Sequence, residues 1–217
     1  MNNERFRVIA RRDALALFGA FVMGGLAGRP GMAGETVANF IRDLGDRAIL
    51  QLGDPAITGS EREERFRALL RESFDITRIC RFVLGRYGRD ISKEDLAEFK
   101  SLYEDIAVLT YAHLFASYGG QGFKVKREVG DPDDRYRMVL TEIQPGDGKP
   151  PIKLDWQIKV SGDSYSVVDI RVEGASMAVT QREEYTAVLD KNGGDIADLL
   201  AQLRSKAEKL RADRSNS

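Results

Sequence analysis

The sequence predicts an α+β domain: helices packed on a curved, mostly antiparallel four-stranded sheet. Three observations carry this. Between Leu154 and Val172, apolar residues alternate with charged ones over two runs separated by Ser161-Gly162-Asp163-Ser164, the pattern of a half-buried β-hairpin around a turn. The segments on either side place apolar residues three and four apart, as amphipathic helices do. The order of helices, then strands, then helices is that of an α+β chain. At 217 residues, 42% hydrophobic and 31% charged, the chain has the composition of a soluble globular protein with one real core.

Taken in order, Thr36 to Leu52 reads as a helix, with Val37, Phe40, Ile41, Leu44 and Ala48 on one stripe and Gly53-Asp54-Pro55 ending it. Ser60 with Glu63 has the spacing of a capping box and opens a second helix carrying Phe66, Leu69, Leu70 and Phe74. Asp75 can cap a short third helix through Val83, closed by Gly85 in a left-handed conformation. Ser92 with Asp95 starts the longest helix, expected to reach about Tyr118, where Gly119-Gly120 stops it. Phe99, Leu102, Ile106, Leu109 and His113 recur along its apolar face.

Strands are expected from Phe123 to Val129 and from Arg135 to Ile143, joined by Asp131-Pro132-Asp133-Asp134. After the Gly/Pro loop from Gln144 to Pro151 the hairpin completes a four-strand meander. In its first run Leu154, Trp156, Ile158 and Val160 share a face; in its second, Val168, Ile170 and Val172 do. Two helices follow. One carries Val179, Tyr185, Val188 and Leu189, and the other Ile196, Leu199, Leu200 and Leu203. From Arg211 the chain is polar and is expected to fray, so the domain is bounded as 34–210 with a tail over 211–217.

The first 33 residues stand apart. Arg5, Arg7, Arg11 and Arg12 precede an apolar run from Ala14 to Ala27, and Gly31-Met32-Ala33 supplies small residues for cleavage after Ala33. This is the pattern of a signal peptide, with a run too short to span a bilayer comfortably. It predicts export to the periplasm with cleavage, against the alternative of an uncleaved membrane anchor. Arg11-Arg12 leaves open whether the general secretory or the twin-arginine route is used. Residues 1–33 hold five basic and two acidic residues, so 28 basic and 32 acidic residues remain and the net charge moves from −1 to −4. That balance argues against a nucleic-acid partner. Cys80 is the only cysteine, so no internal disulfide forms and packing must supply the stability.

Catalytic constellations are scarce. His113, the only histidine, falls at a core-facing helical position, and one His with one Cys does not make a zinc site. Cys80 reads as a small buried hydrophobe. The Gly-rich stretches carry neither a dinucleotide fingerprint nor a phosphate-loop lysine. No enzyme activity and no cofactor are expected. What stands out is a one-sided apolar sheet beside helices bearing Phe74, Phe82, Phe99, Tyr103, Tyr111 and Tyr118. A closed core and a cavity between helices and sheet both account for it.

The order of landmarks carries a resemblance. Phe74-Asp75, Val83-Leu84-Gly85, Phe99, Tyr111-Ala112 and Tyr118 are followed by Val168-Asp169, then Val172-Glu173-Gly174 and Ser176, then Arg182, Tyr185, Gly194 and Leu199-Leu200. The chain resembles the MlaC, or toluene-tolerance auxiliary, family of periplasmic phospholipid-binding proteins. The hopanoid-associated HpnM group looks equally close. The match covers nearly all of the chain after residue 33. One departure is Gly88, where the family usually has an aromatic after Leu-Gly-Arg-Tyr.

The resemblance implies a fold enclosing an apolar pocket for acyl chains, with phospholipid or hopanoid as cargo. It also implies a monomeric shuttle between an inner-membrane ABC transporter with an MCE-domain subunit and an outer-membrane lipoprotein complex. It carries over no catalytic residues. Face and size nominate Phe99, Leu102, Tyr103, Ile106 and Tyr111 from the long helix, and Met138, Trp156, Ile158, Val168 and Ile170 from the sheet, as pocket lining. Two alternatives have other requirements. A closed-core adaptor that only binds the transporter needs no cavity. An enzyme on such a scaffold needs a carboxylate or Tyr of perturbed pKa inside the pocket, for which Asp75 is the best candidate, although a helix cap is its expected role.

Overall fold

The computed structural model describes residues 36–117, 120–145 and 149–215; the expected signal peptide, Tyr118 and Gly119 lie outside them. The helices are α1 (Val37–Leu52), α2 (Gly59–Ser73), α3 (Ile76–Val83), α4 (Lys93–Tyr111), α5 (Met177–Lys191) and α6 (Ile196–Ser215). The strands are β1 (Gly122–Val129), β2 (Tyr136–Gln144), β3 (Ile152–Ser161), β4 (Ser164–Val172) and β5 (Ala175–Ser176). They pair in chain order, every pair antiparallel. The fold is therefore α+β, as expected, with one strand more than the four foreseen. Two residues are too few to show alternation, so β5 left no period in the sequence.

Local chemistry sets most boundaries. The Asp75 carboxylate accepts the Arg78 N–H (3.1 Å) and Ser92 Oγ accepts the Asp95 N–H (2.9 Å), so α3 and α4 start where their caps predict. α2 starts earlier than expected: the cap is Thr58, whose Oγ1 accepts the Glu61 N–H, and not Ser60. α4 ends at Tyr111, short of Tyr118, and the chain tightens into a 3₁₀ turn over Ala112–Ser117. A three-residue period carries His113 off the 3.6-residue stripe, and it is exposed instead of facing the core. At the other end, the expected polar tail is helix through Ser215. There Leu210 packs on the core, Arg211 pairs with Asp105 (2.7 Å) and Arg214 pairs with Glu63.

Two cores form. On the inner face of the sheet, Val139, Ile158 and Val167 lie under Val37, Ile41 and Leu44 of α1 and Leu69 of α2. Each such side chain contributes ~1.5–3 kcal/mol by leaving water. Gly45 lets α1 press on Phe123, for a Cβ there would stand 2.4 Å from its ring. The second core lies among α3, α4, α5 and α6, around Phe99, Cys80, Val83, Leu84, Leu189 and Leu199. Helix α2 serves both: Leu69 joins the first and Leu70 the second, while Phe66 and Phe74 pack against each. The buried Glu104 of α4 is neutralised by Arg71 (2.7 Å) and Arg67 (3.8 Å) of α2.

The register of β3 and β4 overturns one expectation. Trp156 pairs with Ile170 and Gln157 with Asp169, but Ile158 pairs with Val167. Val168 is thus the extra residue of a bulge, which shifts the alternation by one. Val167, fully buried, takes the inner face, and Val168 stands on the other side. Met138 pairs with Gln157 and is likewise on the outer face, its neighbour Val139 being the inward residue.

Candidate functional site

Helix α3 leaves the sheet at β4. Phe74 bridges to Val167 in parallel, and the Asp75 N–H donates to the Val167 carbonyl (3.0 Å). The first turn of α5 is seated a few residues further along β4. There Asp169 accepts hydrogen bonds from Ser176 Oγ (2.6 Å) and from the Ala178 N–H (3.0 Å), and Ser176 Oγ accepts the Val179 N–H. Glu173 has φ 50°, unusual for a non-glycine residue. It is held there by its own N–H to the Lys153 carbonyl (3.0 Å) and by its carboxylate accepting the Lys153 N–H (2.6 Å). The run from Val168 to Ser176 is therefore one hydrogen-bonded corner, and the residues of the V-D and V-E-G-x-S pattern are the ones that make it.

Between α3, this corner and the outer side of β2–β4 lies an open crevice of about 660 Å³. Ile79, Val168 and Ala178 form its floor, and Ile79 and Ala178 also belong to the helical core behind. Phe82 and Val179, 40% and 45% exposed, flank it; they are two of the four large hydrophobic residues left exposed among those described. Isolated exposed apolar residues need no explanation, but two facing one apolar-floored crevice make it the candidate binding groove.

The rim is charged. Arg78 lies over the Tyr136 ring (5.1 Å) and Arg182 over Phe82 (5.1 Å), contacts worth ~0.5–1 kcal/mol at an exposed site. Arg81 also lines the crevice and donates to the Gly88 carbonyl (2.9 Å). Arg171 Nε is buried without a hydrogen-bond acceptor, 4.0 Å from Asp169. Burial pushes the Asp75 carboxyl up, but hydrogen bonds from Lys159 Nζ (2.9 Å) and the Arg78 N–H outweigh it and hold the group below the usual carboxylate range. Gly88, the departure from the family pattern, is explained here: a Cβ would stand 2.6 Å from the Arg81 carbonyl oxygen, so no aromatic fits.

Of the ten nominated lining residues, only Val168 faces this crevice. Phe99, Leu102, Tyr103 and Ile106 sit in the helical core, where the Tyr103 hydroxyl donates to Gln181 (2.7 Å) and Phe99 meets Tyr185 edge-on. Tyr111 is half-buried at the end of α4. Burial raises both the Tyr103 and Tyr111 hydroxyls above their ordinary value. Trp156, Ile158 and Ile170 are on the inner face of the sheet, with Trp156 Nε1 donating to Thr141 (3.1 Å). Met138 is half-buried on the outer face. Seven of them thus fall into two sets, one in each core with α2 serving both, and Tyr111 and Met138 belong to neither. Sequence reasoning missed Ile79, Ala178 and Val179. The available signal was the doublet Val167-Val168, which interrupts strict alternation.

Cys80 is fully buried and its thiol is pushed up to about 12 by burial, so it is inert. Among the described residues no group of three His, Cys, Asp or Glu is arranged to hold a metal.

Comparison with known proteins places this arrangement. The model of the MlaC protein family matches residues 44–205. Over 115 residues the chain is 24% identical to the intermembrane phospholipid transport system binding protein MlaC of Haemophilus influenzae. That match covers 52% of this chain and 54% of the relative, so the chain spans about half the length of the curated relative it matches. Among solved structures, a phospholipid-binding protein from Ralstonia solanacearum in complex with a phospholipid is similar, with a TM-score of 0.74 and 19% identity. The similarity covers 82% of this chain and 99% of that one, a likeness of fold. The chain belongs to the MlaC family.

Proposed function

We propose that this protein is an exported lipid carrier that takes a diacyl phospholipid by its acyl chains and moves it between membranes. The observation that carries the reading is the open crevice floored by Ile79, Val168 and Ala178 and flanked by the exposed Phe82 and Val179. A two-chain lipid has roughly 30 methylenes, each worth ~0.8 kcal/mol when buried, so it leaves a bilayer only into a site that covers most of them. Ile79 and Ala178 separate the crevice from the helical core behind them, and in this reading chains entering there part α3 from β4 and reach the aromatic cluster of Phe99 and Tyr103. In this reading the lining extends inward from the crevice to the residues nominated from sequence.

The basic and apolar pattern of residues 5–33 supports export with cleavage after Ala33, and kinship with the family supports a periplasmic location and, in this reading, partners in the two membranes: an MCE/ABC transporter inside and a lipoprotein complex outside. A hopanoid is the alternative cargo. A closed-core adaptor does not need an apolar crevice of several hundred Å³. An enzyme centred on Asp75 is disfavoured, because a carboxyl held below its usual range by Lys159 is a poor proton donor near neutrality. Native mass spectrometry of gently purified protein tests the proposal: about one lipid per chain is expected, and only the lipid-free mass, with no lipid in organic extracts, overturns it. N-terminal sequencing of the periplasmic form is expected to start at Gly34.

A further inference from the structure

Guanidinium groups outnumber carboxylates at the crevice: Arg78, Arg81 and Arg171 line it with Asp75 and Asp169, and Arg182 lies beside it over Phe82. Arg78, Arg81 and Arg182 form no ion pair among the described residues, whereas Arg47, Arg67, Arg71, Arg204 and Arg211 each face a carboxylate. Each of the three has its position fixed by another contact: Arg78 over Tyr136, Arg182 over Phe82, Arg81 to the Gly88 carbonyl. Only two carboxylates, Asp75 and Asp169, line the crevice, and both are occupied. Asp75 is taken by Lys159 and the Arg78 N–H, and Asp169 by Ser176 Oγ and the Ala178 N–H. Arg171 adds a further guanidinium, 4.0 Å from Asp169, whose Nε has no hydrogen-bond acceptor.

We infer that this mouth selects lipids whose headgroup carries a net negative charge over zwitterionic lipids with the same chains. This rests on the carrier reading above and adds the class of cargo. A phosphodiester attracts the guanidinium groups in either lipid. The difference lies in the second charge. An ammonium on the headgroup meets an excess of guanidinium groups and two carboxylates already hydrogen-bonded, while an uncharged glycerol headgroup does not suffer that repulsion. At an exposed mouth such a charge difference amounts to roughly a fivefold preference at low salt, shrinking as salt is raised.

The test uses lipid-free protein and vesicles containing equal phosphatidylglycerol and phosphatidylethanolamine with identical chains, so that both lipids share one surface charge. Protein is re-isolated and its lipid quantified by mass spectrometry. The wild type is expected to carry phosphatidylglycerol about five times as often. Arg78→Gln/Arg182→Gln should bring the ratio near one, and Arg78→Lys/Arg182→Lys should keep the preference. Equal uptake by the wild type, or loss of the preference in the lysine variant, overturns selection by charge and leaves the carrier reading standing. No uptake of either lipid overturns both. Saturable binding of inorganic phosphate by lipid-free protein that shows no lipid preference assigns the arginines to a free anion and overturns the inference.

Discussion

Val167 and Val168 are adjacent, and the bulge in β4 gives them opposite fates. Val167 is fully buried in the inner core, while Val168 faces the open crevice. Replacing Val167 with Glu forfeits about 2 kcal/mol of apolar burial. Holding the new carboxyl neutral at pH 7, against an ordinary value near 4.3, costs about 4 kcal/mol more. The loss is comparable to the whole stability of a domain, ~5–15 kcal/mol, so Val167→Glu should be largely unfolded or melt far lower. In Val168→Glu the carboxylate reaches water and lies near Arg78 and Arg171, so destabilisation should stay within about 1 kcal/mol. Its charge on the crevice floor should instead cut the retained lipid several-fold. Urea unfolding followed by circular dichroism, with lipid extraction from each variant, measures both quantities. Equal destabilisation by the two substitutions would falsify the register, and a full lipid load in Val168→Glu would show that acyl chains do not pass over this floor.

Asp169→Ala removes the acceptor for Ser176 Oγ and for the Ala178 N–H; it should cost ~2–3 kcal/mol in urea unfolding and lower the lipid load by loosening one crevice wall. Gly88→Ala forces a Cβ against the Arg81 carbonyl and should cost ~1–3 kcal/mol, against no change if the turn can relax. Cys80 should resist a thiol reagent in the native protein and react on the order of a thousandfold faster in denaturant; rapid native labelling would contradict its burial. Because Asp75 is held below its unfolded value, its contribution is present above the ordinary carboxylate range and is lost as the pH falls through the lower folded value. Asp75→Asn should therefore lose stability at neutral pH and depend less on pH in the acid range, as followed by urea midpoints across pH.

Much of this protein was legible from local pattern. A helix stripe, a cap such as Asp75 or Ser92 and a turn such as Ser161–Ser164 are set by residues a few positions apart, so composition and spacing suffice to find them. The resemblance was legible for the same reason: the V-D and V-E-G-x-S residues lie within nine positions and close one hydrogen-bonded corner. The lining of the site was not. Its floor joins Ile79 and Ala178, about a hundred positions apart, with a bulged residue that breaks the period of two at Val167-Val168. Nothing local says which side of a strand an extra residue takes, because hydrogen bonding to the neighbouring strand and packing under α1 decide it. The sequence by itself therefore determined the class of fold, the sites of most helix ends and the kinship of the chain. Tertiary packing alone decided that Phe99 and Trp156 lie in different cores, that Val168 faces out, and that Arg78, Arg81 and Arg171 line one crevice with only two carboxylates, both already hydrogen-bonded.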